Sequence, residues 1–268
     1  MILDSFKGKK IIIYGTGHVG RKFYKTLKKH GFEDQVQCFV RSRDVREGEC
    51  FEGVPVYCFE SVPIEEDTLI CLAVHESLRD EIQRTVSPVT DQYLWIYPYL
   101  YELMLGEPEQ EAAELPVERL LRGCKNDLRL GVRLAAIEQQ NGLNDFGSDY
   151  YIRAQMLHCD KETAIQRLKQ FSRLIKEWKQ NGYQKKYLLT LTRDYGVIDG
   201  NHRLAMAVYT GLKTICGNIY PTDLSVEDIH GCEPMLGKEL LAEHGFSGEE
   251  LERLEKIQKR YMMAYGDE

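Results

Sequence analysis

The sequence predicts an α/β protein: a small doubly wound parallel sheet followed by a mainly helical α+β region. Three observations predict it. The run Lys10-Ile-Ile-Ile-Tyr14 is almost wholly apolar, as a strand buried on both faces must be, and it leads into glycines and then a helical pattern. Further short apolar runs recur as far as Trp95, with a helical stretch among them. Beyond residue 106 apolar residues repeat at three- and four-residue intervals, and strand-like spacing returns at residues 187–198.

In chain order, Lys10–Tyr14 is the first strand, Gly15-Thr16-Gly17-His18-Val19-Gly20 a turn, and Arg21–His30 a helix closed by Gly31. Strand, G-x-G-x-x-G and helix in that order form the Rossmann-like dinucleotide-binding pattern. Gly15 permits the tight turn, Gly17 lets a ligand approach the backbone, and Gly20 allows the helix to pack closely on the strand. Gly15, Thr16, Gly17, His18 and Gly20 are therefore candidate ligand-binding residues. Gln35–Val40 is the next strand. The acidic residue expected at its end to hold a ribose is replaced by Arg41-Ser42-Arg43. Arg41 and Arg43 suit a 2′-phosphate, as in NADP, or another phosphate-rich ligand such as a sugar nucleotide. In the competing reading the glycines serve packing alone. Strands at 54–58, 69–74 and 93–97, with a helix at about 76–86, complete the sheet. His75, just past the end of a strand, is either a ligand contact or a helix cap.

The polar stretch Gly106-Glu-Pro-Glu-Gln-Glu111 marks a boundary, giving a Rossmann-like domain at 1–106 and a helical domain at 107–268. The aromatic run Tyr93–Tyr101 before it reads as the last strand and an interdomain or dimer surface. Leu128–Gln139 and Lys161–Lys179 have helical periodicity, the second ending at Asn181-Gly182. Between them residues 144–153 are dense in polar and aromatic groups and read as a substrate loop, with Asp149 as a base or metal ligand and Arg153 as a phosphate contact. The competing reading makes Asp149 a helix cap and Tyr150 and Tyr151 a packing face. His158-Cys159-Asp160 resembles a catalytic cluster in composition alone, because consecutive helical residues do not face each other. Leu224–Tyr265 reads as a helical tail.

The most informative segment is residues 197–206. Tyr187–Leu191 and Gly196–Ile198 read as strands around the turn 192–195, and Leu204–Tyr209 as a helix ending before Gly211. The turn Asp199-Gly200-Asn201-His202-Arg203 thus opens directly into a helix. Unpaired N–H groups and the positive dipole end favour an anion there, Arg203 adds a charge-assisted contact, and His202 can supply a donor or a proton. The plainer reading is that Asp199 or Asn201 caps the helix and His202-Arg203 is its solvated first turn.

The run Val197-Ile-Asp-Gly-Asn-His-Arg-Leu-Ala, before Gly211-Leu-Lys-Thr-Ile215, resembles the signature segment of the ParB/sulfiredoxin superfamily over roughly residues 165–220. That resemblance implies nucleotide binding, with the turn on the phosphates. Members include CTP-binding partition proteins, ATP-using sulfiredoxins and kinases of free serine. Sulfiredoxins carry a reactive cysteine immediately before the His-Arg pair, whereas this chain has Asn201, so their sulfur chemistry is not expected. The first half is also similar to the short nucleotide-binding-like domains beside polysaccharide-biosynthesis enzymes, on Ile11–Gly20 and Gly53-Val-Pro-Val-Tyr57.

The formal net charge of −7 argues against a duplex binder, whose affinity comes from cations set on phosphates. Both halves carry more acidic than basic side chains, so no nucleic-acid or membrane partner is expected. The eight cysteines lack C-x-x-C spacing and read as reduced thiols. A membrane span and a signal peptide are not expected, and the cytoplasm is the expected location. The expected function is a phosphotransferase that uses ATP or CTP with Mg²⁺ on a small metabolite, a sugar or amino-acid intermediate. Gly200, Asn201, His202 and Arg203 bind the nucleotide, and Asp199, His202 and Arg203 carry the chemistry, with Asp199 holding Mg²⁺ or accepting the acceptor's proton. The alternative is a nucleotide-gated binding protein without turnover, and a homodimer is compatible with either.

Overall fold

Ile11, Ile12 and Ile13 are all buried because both faces of their strand are covered. Ile11 and Ile13 face one apolar cluster and Ile12 and Tyr14 the other, the two-residue alternation of a pleated strand at the centre of a layered sheet. Each such side chain contributes about 1.5–3 kcal/mol relative to exposure. The structure is a computed structural model that describes residues 2–74, 76–124, 127–185, 188–222 and 236–266. The chain divides into two compact units, Met1–Gly106 and Glu107–Glu268. It is a mixed α/β protein with one sheet in each unit.

The first unit contains β1 Lys10–Tyr14, α1 His18–Lys29, β2 Val36–Arg41, β3 Cys50–Phe51, β4 Val54–Cys58, β5 Thr68–Leu72, α2 Glu76–Val86, β6 Tyr93–Trp95 and α3 Leu100–Leu105. The sheet order is β3-β4-β2-β1-β5-β6, parallel except for the β3–β4 hairpin. The chain winds outward from β1 to β2 and β4, then returns to the other side of β1 for β5 and β6. Its winding therefore reverses between β1 and β5. Phe23 and Leu27 of α1 and Leu103 of α3 cover one face, while Ile82 and Val86 of α2 cover the other. The expected strands at 69–74 and 93–97 are present in shorter form, at Thr68–Leu72 and Tyr93–Trp95. His75 lies outside the described residues.

The second unit contains β7 Gln110–Pro116, α4 Val117–Leu121, α5 Arg129–Gln140, α6 Gly147–Gln155, α7 Lys161–Asn181, β8 Leu189–Leu191, β9 Val197–Asp199, α8 Asn201–Tyr209, β10 Thr214–Ile219, α9 Lys238–Glu243 and α10 Gly248–Met262. Its sheet order is β7-β10-β8-β9. β10 runs antiparallel to β7 and parallel to β8, and β8 is antiparallel to β9. α5 is the central helix, buried from Leu130 to Glu138 and packed against α6, α8 and α10. Two polar contacts fix that packing. Gln258 of α10, 4% exposed, accepts from the Gly131 N–H at 2.7 Å. Glu138, buried, accepts from the Tyr261 hydroxyl at 3.0 Å and from Arg260. Both satisfy groups that would be costly to bury alone.

Two expectations change. Residues 110 and 111, read as linker, begin β7, and the rest of the stretch up to Gly182 is mainly helical. The run Gln-Glu-Ala-Ala-Glu-Leu-Pro has little strand signature of its own, and its pairing with β10 about a hundred residues later supplies the structure. Residues 144–153 follow the helical reading beyond a short turn: Asn144 Oδ1 accepts from the N–H groups of Phe146 and Gly147, and α6 begins at Gly147 with Tyr150 and Tyr151 buried and Phe146, not Asp149, preceding it. The helical tail holds α9 and α10, while residues 223–235 lie outside the described residues. Among the described residues no helix is long and apolar enough to cross a membrane. The described cysteines are free thiols, and burial pushes Cys38 up to about 11 and Cys124 up to about 12, so both stay protonated.

Candidate functional site

The turn at Asp199–Arg203 is built by the β8–β9 hairpin. Thr192 closes it: its N–H donates to the Gly196 carbonyl at 2.9 Å, and its hydroxyl accepts from the Gly196 N–H at 2.8 Å. Tyr195 adopts φ +71°, the left-handed conformation that lets so few residues reverse the chain. After Asp199 the chain turns again at Gly200, where φ is +105° and an added Cβ would lie 2.5 Å from Leu189 Cδ2. A side chain is excluded twice at that position, by the backbone angle and by the space.

Gly200 is the residue preceding α8 and offers no side chain to cap it, so no N-cap side chain screens the positive end of the helix dipole. Neither Asp199 nor Asn201 serves as the cap. Asp199 instead reaches forward one turn, its Oδ2 lying 2.6 Å from Arg203 Nη2. Arg203 Nη1 donates to the Leu188 carbonyl, so the guanidinium braces the hairpin against the helix. These contacts use two of the five N–H donors of a guanidinium whose side chain is 24% exposed. The pair can still meet an anion, but it is a positioned pair and not a solvated first turn.

His202 is held from the other side. Its Nε2 is 2.7 Å from the Tyr151 hydroxyl, and its ring lies 4.4 Å from the ring of Phe171. Tyr151 comes from α6 and Phe171 from α7, so three helices meet at this imidazole. Burial pushes the Tyr151 hydroxyl up to about 12, and the guanidinium groups of Arg133 and Arg167 oppose that shift. Tyr151 is therefore a neutral hydrogen-bonding partner of the His202 ring. Asn201, the first residue of α8, lines a cavity of about 220 Å³ whose other walls come from α4, α5, the segment between them at Gly123, Cys124 and Asp127, and the β8–β9 turn.

Asp199, Gly200, Asn201, His202 and Arg203 are thus assembled at one helix start, as their adjacency required. Tyr151 and Phe171 are the residues that sequence reasoning missed as site components. Tyr151 was readable as a packing residue, and nothing in its spacing relates it to His202, 51 positions away. Asp149 and Arg153 do not join the site. Arg153 contacts Glu250 at 2.7 Å and the Gly245 carbonyl at 2.5 Å, and it lies over the Phe246 ring, so it secures α6 to α10. Asp149 is 3.3 Å from Arg153, and Asp160 caps α7 by accepting from the Thr163 N–H at 2.8 Å.

In the first unit, Gly15, Thr16, Gly17, His18 and Gly20 lie at the carboxyl end of β1, where the sheet's winding reverses. Such reversals leave a crevice that suits a ligand. Gly20 packs so tightly that an added Cβ would lie 1.9 Å from the Gly15 carbonyl oxygen, while the same atom on Gly17 would meet nothing within 4 Å. Close packing at Gly20 and open space at Gly17 are the two roles the motif requires. Arg21 Nε donates to the Thr16 carbonyl at 3.1 Å. Arg41 follows Val40, which pairs with Tyr14, and so sits beside this turn. Its guanidinium is already held by Glu49 and by the Asp44 carbonyl, so a ligand phosphate must compete with Glu49 for it. No protein family, curated protein or solved structure matches the chain.

Proposed function

We propose that the chain is a nucleotide-dependent phosphotransferase whose second unit is ParB/sulfiredoxin-like and whose first unit is Rossmann-like. The triphosphate of ATP or CTP sits on the uncapped start of α8, with Gly200, Asn201, His202 and Arg203 as its contacts. The acceptor is a small metabolite, a sugar or amino-acid intermediate such as those of surface-polysaccharide biosynthesis. The observation that carries this reading is the fixed guanidinium of Arg203 beside an uncapped helix start. Phosphoryl transfer needs charge placed in advance around the moving group more than it needs a nucleophile.

Each residue has a role in that scheme. Arg203 and the first N–H groups of α8 offset charge on the transferred group. Asp199 orients Arg203 and takes the acceptor's proton. His202, held by Tyr151, is a donor to the phosphates. Among the described residues no three His, Cys, Asp or Glu side chains gather as a metal site. Mg²⁺ brought with the nucleotide does not need one, since it is held mainly by phosphates and water with one or two carboxylates. The glycine turn of the first unit takes a second ligand, a nucleotide or sugar nucleotide.

One observation favours the rival reading, a nucleotide-gated binding protein without turnover. Arg203 and Asp199 satisfy each other, an arrangement that also suits a strut released when phosphate draws the guanidinium away. The test is a thermal-shift panel of ATP, ADP, CTP, GTP, NAD, NADP and sugar nucleotides with Mg²⁺, followed by chromatography of the nucleotide. A ligand at 100 times its dissociation constant stabilises by about 2.7 kcal/mol. The kinase reading expects a triphosphate shift that Arg203→Ala abolishes, together with diphosphate formed only when an acceptor is present. Binding without consumption supports the gate, and no shift with any nucleotide ends both readings.

A further inference from the structure

The cavity beside Asn201 has a size and a polarity of its own. At about 220 Å³ it lies below the roughly 300–1,000 Å³ of pockets that hold drug-sized ligands, so it suits a small molecule. Its charged wall is ordered by depth. Arg133, 8% exposed, and Asp127, 6% exposed, lie inside, whereas Asp194 is exposed at the hairpin. Asp127 is engaged by Arg129 through both oxygens, one accepting from the Arg129 N–H at 2.8 Å and the other from its guanidinium. Arg133, whose Nη1 donates to the Arg129 carbonyl at 2.9 Å, adds a second guanidinium to that wall, and the start of α8 turns its positive end towards the same space at Asn201. The buried part of the wall is therefore positive. Leu130 and Leu204 supply an apolar side.

We propose that this cavity holds the acceptor of the phosphotransferase reaction and that the acceptor is a small hydroxy-carboxylate, its carboxylate on Arg133 and its hydroxyl towards Asn201. The identity of the acceptor rests on the reading of the Asp199–Arg203 turn given above; the preference of the cavity for a small carboxylate does not. A guanidinium is the side chain that best matches a carboxylate, and burial strengthens the contact. A hexose lacks the anionic group that would pair with Arg133. Because Asn201 belongs to both the cavity wall and the first turn of α8, a molecule in the cavity abuts the nucleotide's phosphates. In the reaction the acceptor's hydroxyl oxygen bonds to the γ-phosphorus and the bond from that phosphorus to the β–γ bridging oxygen breaks. The nucleoside diphosphate leaves with the electron pair, and the hydroxyl proton passes to the Asp199 carboxylate.

The test is calorimetric titration of the full chain with D-glycerate, with glucose and with a non-hydrolysable ATP analogue plus Mg²⁺. The parent is compared with Arg133→Met, Val197→Phe and Arg203→Ala. Val197 is a half-buried residue of the cavity wall, so the larger ring fills the space and removes no charge. D-Glycerate is expected to bind the parent while glucose does not. Binding should weaken roughly tenfold or more in Arg133→Met, as loss of a charged hydrogen bond implies, vanish in Val197→Phe, and persist in Arg203→Ala. Absence of glycerate binding to the parent, equal binding of glucose, or unchanged binding in a folded Arg133→Met or Val197→Phe protein overturns the proposal. If Arg133→Met does not fold, Val197→Phe and the parent's choice between the two probes decide. Glycerate binding without analogue binding refutes the nucleotide reading and keeps a small-carboxylate site; analogue binding without glycerate binding refutes the cavity assignment alone.

Discussion

The phenol oxygen of Tyr151 and Nε2 of His202 lie 2.7 Å apart, and this contact ties the middle of α6 to the first turn of α8. Tyr151 is fully buried, so its hydroxyl has been taken from water and depends on that contact for compensation. Tyr151→Phe keeps the ring that stacks on Phe171 and removes the contact. A loss of about 1 kcal/mol is expected in urea unfolding. The titration of the His202 ring, followed by NMR, should move in the same variant. An unmoved titration would show that the two groups are neighbours without coupling.

Alkaline pH should destabilise the protein in a defined window. Burial pushes Tyr151, Tyr183 and Tyr265 each up to about 12 from an ordinary value of 10.0. The fold favours the neutral phenols, so their contribution is complete below pH 10.0, where the unfolded chain is also neutral. It is lost as pH rises towards about 12, because the unfolded state ionises first. The urea midpoint should hold steady from pH 8 to 9 and fall beyond 10, with a fraction of tyrosinate absorbance appearing only on unfolding. Tyrosines that all titrate freely near pH 10 would refute this.

Gly200→Ala should cost about 1–3 kcal/mol, since alanine would have to adopt φ +105°. The strain falls on the turn itself, so any ligand-induced stabilisation should shrink with it. Chemical unfolding with and without ATP and Mg²⁺ reads both effects in one series.

Gly20 and Gly17 should respond oppositely to the same change. Gly20→Ala brings a methyl group into the Gly15 carbonyl and should cost about 1–3 kcal/mol through overpacking of α1 against its turn. Gly17→Ala meets open space and should leave the melting temperature of the unliganded protein nearly unchanged. If Gly17→Ala also removes the stabilisation given by a dinucleotide or sugar nucleotide, the ligand lies over the start of α1. A ligand effect that survives the substitution places it elsewhere.

How much of this was legible in the sequence follows from the range of the interactions. β1, its glycine turn and α1 were readable because a buried parallel strand and a G-x-G-x-x-G turn carry their signals locally. The hairpin and helix around Asp199–Arg203 were readable for the same reason. β7 was not, because its residues become a strand only beside β10, and α6 was legible only as one of two readings, because loop-like polar residues around Asn144 mask the apolar face of Tyr150 and Tyr151. At the site, adjacency gave Asp199 through Arg203. The placement of Tyr151 and Phe171 against His202, and of Arg133 and Asp127 around the cavity, depends on how α5, α6 and α7 pack, which no local spacing encodes.

The order of strands in the second sheet bears on how this protein is made. β10 lies between β7 and β8, and Thr214 hydrogen-bonds to Glu114 across 100 residues of intervening chain. A ribosome delivers the Asp199–Arg203 turn before it delivers the strand that braces the turn's own hairpin. The second sheet can close only after residue 219 has emerged, so its formation is a late event governed by long-range pairing. The Met1–Gly106 unit by then has all its strands available and can fold ahead of it. A nascent chain interrupted before Thr214 carries the whole signature segment and lacks the strand that would hold it in shape, so unfinished copies display the motif without the site.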